Sequence, residues 1–66
     1  MTHDQFKVGM RIRQRVDDGD GPYNAYGHIR KIDPDGVWIE WPDIYELVKH
    51  TPEEYESIKD ATAPNH

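Results

Sequence analysis

Sixty-six residues without a cysteine allow one small domain and exclude disulfides or a thiolate metal site as its staples. Only 35% of the chain is apolar, but two Trp, four Tyr and one Phe supply enough large side chains to favour a folded domain over a disordered one. A net charge of −5 argues against general attraction to nucleic acid, although the charge is uneven: residues 1–31 carry +2 and residues 32–66 carry −7.

In chain order, the start MTHDQFK has no apolar stretch of the kind a signal peptide needs, and no run approaches the roughly 20 apolar residues of a membrane span. A cytoplasmic protein is expected, with residues 1–5 a flexible N-terminus. "VGMRIRQRV", residues 8–16, alternates Met10, Ile12 and Val16 with Arg11, Arg13 and Arg15, the period of a half-buried strand. Gln14 falls on its apolar side, which suggests an edge or a bend. "DDGDGPYNAYG", residues 17–27, then reads as a long solvated connection, its Gly and Asp serving turn geometry.

"YGHIRKI", residues 26–32, resumes strand character, but Ile29 and Ile32 are three apart and would face opposite ways on a regular strand. A bulge near Arg30 and Lys31 reconciles them. "DPDG", residues 33–36, is a hairpin turn in which Pro34 presets one φ and Gly36 is expected to take a positive one. "VWIEW", residues 37–41, is the strongest strand, with Val37, Ile39 and Trp41 on one face. Pro42 and Asp43 end it, and "YELV", residues 45–48, is a fourth strand candidate. Thr51, Pro52 and Glu54 then spell the start of a short helix with a capping box, Tyr55 and Ile58 facing the core and Lys59 near its end. Residues 61–66 carry no pattern and are expected to be a disordered tail. The fold class is therefore mainly β. It is a small antiparallel barrel or strongly bent sheet of four to five short strands, spanning residues 6–60 as one domain with a short C-terminal helix.

Over residues 6–48 the chain resembles the Src-homology-3-like small barrels of the Tudor and KOW type. Phe6 and Gly9 stand where an aromatic-x-x-Gly opens the first strand. Gly27, Ile29 and Ile32 match a Gly-x-Ile-x-x-Ile unit, and Val37, Ile39, Trp41 and Asp43 match the strand that closes the hairpin. The Asp18-Gly19-Asp20-Gly21 run is also similar to a loop of mind-bomb-type domains. Where such barrels carry Asp-Gly after the third strand, this chain has Asp43-Ile44. The resemblance implies a binding module rather than an enzyme, and leaves the ligand class open among peptides, modified side chains and nucleic acid.

Three uses of residues 17–27 can be weighed. Calcium fails on spacing: with Gly21 as the sixth position, the first and twelfth are Val16 and Gly27, neither of which can ligate through its side chain. A phosphate cradle fails because three carboxylates would repel the anion and no helix follows. Recognition survives: Asp18, Asp20, Tyr23 and Tyr26, with Trp38 and Tyr45 brought near by a barrel of the resembled type, would make a cation-friendly lip for a protein segment. A second constellation is Arg11, Arg13 and Arg15 on one strand face, with His28 and Arg30 beside them. It is suited to nucleic-acid phosphates unless acids such as Glu40 neutralise it.

His3, His28, His50 and His66 have no metal spacing, so no metal and no cofactor is expected. No nucleophile sits beside a matched base, so no catalytic residue is assigned. The acidic C-terminal half leaves a third reading, a small accessory or inhibitor docking on a basic partner. An unpaired strand edge would allow an edge-paired homodimer in place of a monomer.

Overall fold

The computed structural model describes residues 1–62. Five strands, β1 (Arg11–Asp18), β2 (Gly21–Asp33), β3 (Gly36–Glu40), β4 (Val48–His50) and β5 (Ile58–Asp60), form one antiparallel sheet in the order β4-β3-β2-β1-β5. The sheet is open, because no ladder joins β4 to β5. Ile12 of β1, Ile29 of β2, Val37 and Ile39 of β3 and Ile58 of β5 nevertheless meet in one buried cluster with Phe6, Trp41 and Tyr55. A single sheet bent about its inner face thus supplies the core. Among the described residues no helix is long and apolar enough to cross a membrane.

The alternation of the first strand holds: Ile12 is fully buried while Arg11, Arg13 and Arg15 are exposed. Its bounds shift, since residues 8 and 9 form a turn and the strand continues to Asp18. Gln14 faces inward where the β1–β5 ladder ends, at Gln14↔Ile58, so β1 is an edge on that side from Arg15 onward, yet the Gln14 amide is not left to solvent. Its amide instead donates to the Ser57 hydroxyl at 3.0 Å, and that hydroxyl donates to the Glu54 carbonyl at 2.7 Å.

The long connection expected over residues 17–27 is not a loop. β1 and β2 pair from Arg11↔His28 to Asp18↔Gly21, so only Gly19 and Asp20 lie between the strands. Asp18 stands first in the turn and its carboxylate accepts the Asp20 N–H at 2.8 Å. Gly21 stands fourth with φ 106°, a conformation that a side chain resists. Tyr23 and Tyr26 are therefore strand residues.

The bulge is where the isoleucine spacing put it: the β2–β3 register shifts between Ile29 and Lys31. The "DPDG" hairpin also forms, closed by Asp33↔Gly36. Its glycine serves space rather than φ, which is not positive: a Cβ at Gly36 would lie 2.7 Å from the His50 carbonyl oxygen. The fourth strand is Val48–His50, not residues 45–48, and Tyr45 is fully exposed in the preceding bend.

The helix expected after Thr51 is a short 3-10 helix, Pro52–Ser57, with Glu54 accepting the Thr51 N–H at 3.2 Å. With three residues per turn, Tyr55 and Ile58 stack on one side and both are buried, but Ile58 and Lys59 already belong to β5.

The first five residues, expected to be flexible, are tied down. His3–Gln5 form a 3-10 turn, the Met1 amine donates to the Tyr55 carbonyl at 2.8 Å, and His3 Nε2 lies 2.6 Å from the Asp33 carbonyl oxygen. Of the expected disordered tail, Ala61 donates to the Arg11 carbonyl at 2.9 Å and Thr62 to the Asp60 carboxylate at 2.8 Å. Residues 63–66 lie outside the described residues.

Candidate functional site

Two faces of the sheet carry the candidate residues. On the inner side, a groove of about 600 Å³ lies between the far half of the β1–β2 hairpin and the chain that leaves β3. Gln14, Val16, Tyr23 and Ala25 come from the hairpin. Trp41, Pro42, Asp43 and Ile44 form the opposite wall, with Val48 and His50 of β4 behind them. The lining is mostly apolar and includes no Lys or Arg. Tyr23 and Ile44 are about half exposed, an apolar pair open to solvent at the rim.

The groove exists because β2 is longer than its partner. Residues 28–33 pair with β3, whereas residues 21–27 have β1 on one side only. Continuing the His28↔Glu40 register by two residues would set Pro42 opposite Tyr26. Proline has no N–H to give the ladder, and the chain turns away there, with Ile44 donating to the Trp41 carbonyl at 3.1 Å.

Trp41 and His50 make the floor. Their rings meet edge to face at 5.7 Å, and the indole N–H donates to His50 Nε2 at 3.2 Å. One carboxylate, Asp43, lies in the wall; Asp18 and Asp20 stand at the end of the hairpin and Glu46 in the bend that follows the wall, all exposed.

Of the residues expected at a recognition lip, Tyr23 lines the groove by its side chain, and Asp18 and Asp20 stand at the tip of the same hairpin. Tyr26 lines it too, but its ring is on the outer face, where the Arg11 guanidinium stacks over it at 4.5 Å. Trp38 is not brought there. It faces outward on β3, its indole N–H donating to Asp33 at 2.7 Å, with Lys31 and Lys49 5.8 and 5.9 Å from its ring. Tyr45 does not line the groove either.

Sequence reasoning missed Val16, Ala25 and Ile44; the first two follow from reading Gly19 and Asp20 as a tight turn, whereas Ile44 carries no such signal. Alternation then runs on through Val16 and back through Ala25.

The outer face does assemble the second constellation. Arg11 lies across from His28, and Arg13 lies between Tyr26 and Lys59 of β5. Acids are interleaved: Glu40 pairs with Arg30 at 3.0 Å, Asp17 with Arg15 at 3.7 Å, and Glu56 lines a shallow depression with Arg13, Arg15 and Lys59. Among the described residues no three His, Asp or Glu side chains converge as a group able to hold a metal ion.

Comparison with protein-family models, with curated proteins and with solved structures finds no match to this chain.

Proposed function

We propose that the protein is a non-catalytic interaction module that binds a basic segment of another protein in the groove between the β1–β2 hairpin and the Trp41–Ile44 wall. The observation that carries this is a mostly apolar groove whose only charged lining side chain of fixed sign is a carboxylate: Tyr23, Ala25, Trp41, Ile44 and Val48 line it with Asp43 and without Lys or Arg, and Asp18, Asp20 and Glu46 are exposed on the adjoining hairpin tip and bend. Apolar stems of Lys or Arg fit the floor while their charges meet the carboxylates, and an aromatic face beside an acid favours a cation.

The sequence resemblance to Src-homology-3-like barrels of the Tudor type supports the same class, as does a mainly antiparallel five-stranded sheet. The reading absorbs the accessory-protein alternative, since a basic partner is common to both. It goes with a cytoplasmic location.

The test is anisotropy of a fluorescein-labelled peptide Lys-Val-Lys-Val-Lys. Tyr23→Ala is expected to weaken it about tenfold, as loss of an aromatic anchor does. Tyr45→Ala and Trp38→Phe, off the groove, should leave it unchanged. Equal binding by all three variants, each still folded by circular dichroism, would remove the groove as the site.

A further inference from the structure

The groove has a polar side that its lining side chains do not reveal. In an antiparallel ladder, opposite residues alternate between pairs that exchange both hydrogen bonds and pairs that exchange none. Asp18↔Gly21 closes a two-residue turn and Pro22, next to it, has no N–H, so the bonded pairs of β1 and β2 are Asp18↔Gly21, Val16↔Tyr23, Gln14↔Ala25 and Ile12↔Gly27. The Ile29 N–H donating to the Met10 carbonyl at 3.0 Å continues the same series. The intervening residues, Asn24, Tyr26 and His28, therefore turn their N–H and C=O groups away from β1.

His28 finds β3 there, opposite Glu40. Asn24 and Tyr26 find no strand, because the β2–β3 ladder begins only at His28 and Pro42 cannot extend it. This explains why Asn24 and Tyr26 line the groove although their side chains point to the outer face: it is their backbone that borders it.

We infer that the groove takes its occupant as an added β-strand, an extended basic segment of a partner protein hydrogen-bonding the free edge of β2 at Asn24 and Tyr26. Resting on the proposed function, this specifies the binding mode. The segment pairs with the two N–H and two C=O groups that β3 leaves unmet. Its inward side chains settle on Tyr23, Ala25 and Val48, and its cations reach Asp18, Asp20 and Asp43. The seven residues of β2 left unpaired on this side span room for up to about seven residues of extended chain at about 3.3 Å each, enough for a five-residue segment. Charge complementarity selects a basic occupant, since no Lys or Arg lines the groove and a carboxylate does.

The experiment uses the 15N-labelled protein and two peptides with the same side chains. One is capped Lys-Val-Lys-Val-Lys and the other is its analogue N-methylated on both edges of the extended chain. The inference expects the amide protons of Asn24 and Tyr26 to move downfield and gain protection from exchange with the first peptide. It expects the analogue to bind about tenfold more weakly or worse, the effect of losing at least one backbone hydrogen bond. If both peptides bind alike, perturbing groove side chains but not those two amides, strand addition is overturned while the groove remains a binding site. Failure of both to bind at millimolar concentration overturns the inference and the proposed function together. Protection of the same amides that appears without peptide, and only as protein concentration rises, would make the occupant a second copy of this chain and overturn the assignment of a basic partner.

Discussion

The indole N–H of Trp41 donates to Nε2 of His50 at 3.2 Å, and Nδ1 of the same histidine lies 3.1 Å from the Glu54 carboxylate. An indole only donates, so His50 must present a lone pair at Nε2 and carry its hydrogen on Nδ1, toward Glu54. One buried contact thus orders the groove floor, the end of β4 and the 3-10 helix. Trp41→Phe removes the donor and strands a buried ring nitrogen, an expected loss of about 1–3 kcal/mol in urea unfolding. Trp38→Phe, at a half-buried site where the indole N–H donates to Asp33 within reach of solvent, is expected to cost about 0.5–1.5 kcal/mol, the smaller of the two. Equal losses would mean that the two tryptophans are structurally equivalent.

Tyr55 gives a prediction of opposite sign. Its side chain is 6% exposed, packs edge to face on Phe6 at 4.9 Å, and has a hydroxyl with no hydrogen-bond partner among the described residues. Tyr55→Phe keeps the packing and deletes the unpaired group, so stability should rise by about 1 kcal/mol.

The same residue shapes the alkaline limb. Burial, aided by the negative charge of Asp35, holds the Tyr55 phenol above its usual range. A pKa raised on folding contributes stability that is fully present below the unfolded value of about 10 and is lost as pH climbs through the folded one. Tyr55→Phe should flatten that loss. The slope that persists would belong to Lys49, whose ammonium is raised by its hydrogen bond to Asp35 and whose contribution disappears in the same direction. Thermal melts of both proteins from about pH 8 to 11 read this directly.

Local signals were readable in part: Pro34 and Gly36 mark the second hairpin, although Gly36 is there for space and not for a positive φ, and the three-residue spacing of Ile29 and Ile32 demands the Arg30 bulge. Residues 17–27 misled because dense Gly and Asp suggest an extended loop, while a hairpin needs only Gly19 and Asp20 between its strands. Residues 45–48 misled because four residues are too few for alternation to fix a strand's bounds, and only Val48 among them lies in β4. The groove depends on where one ladder stops, a relation between Tyr26 and Pro42 that exists only once the β2–β3 register is known. Pro42 was visible, but its partner was not.

That register also makes Gly27 demanding. A Cβ there would lie 2.7 Å from the Glu40 carbonyl oxygen, 2.8 Å from the Ile39 side chain and 2.9 Å from the Trp41 ring. Backbone on one side and a buried indole on the other leave little room to yield. Gly27→Ala should therefore destabilise by about 1–3 kcal/mol, the range for overpacking. Gly19→Ala, with open space around it, serves as the control in the same denaturation series. Comparable midpoints for the two variants would show that β2 and β3 can move apart without cost.

The arginine face allows a decision between ligand classes. Arg11, Arg13 and Lys59 make no ion pair among the described residues, while Arg30 and Arg15 are engaged by Glu40 and Asp17. Arg11 is also stacked on Tyr26. Three free cations on this face of a chain of net charge −5 make few phosphate contacts. Because nucleic-acid affinity rises steeply with the number of contacts and with falling salt, a 20-nucleotide single strand is expected to stay unbound even at about 50 mM salt. Fluorescence anisotropy checks this at low cost. Binding there, lost with Arg13→Glu and falling with added salt, would make the outer face the functional one and the groove a feature of the fold alone.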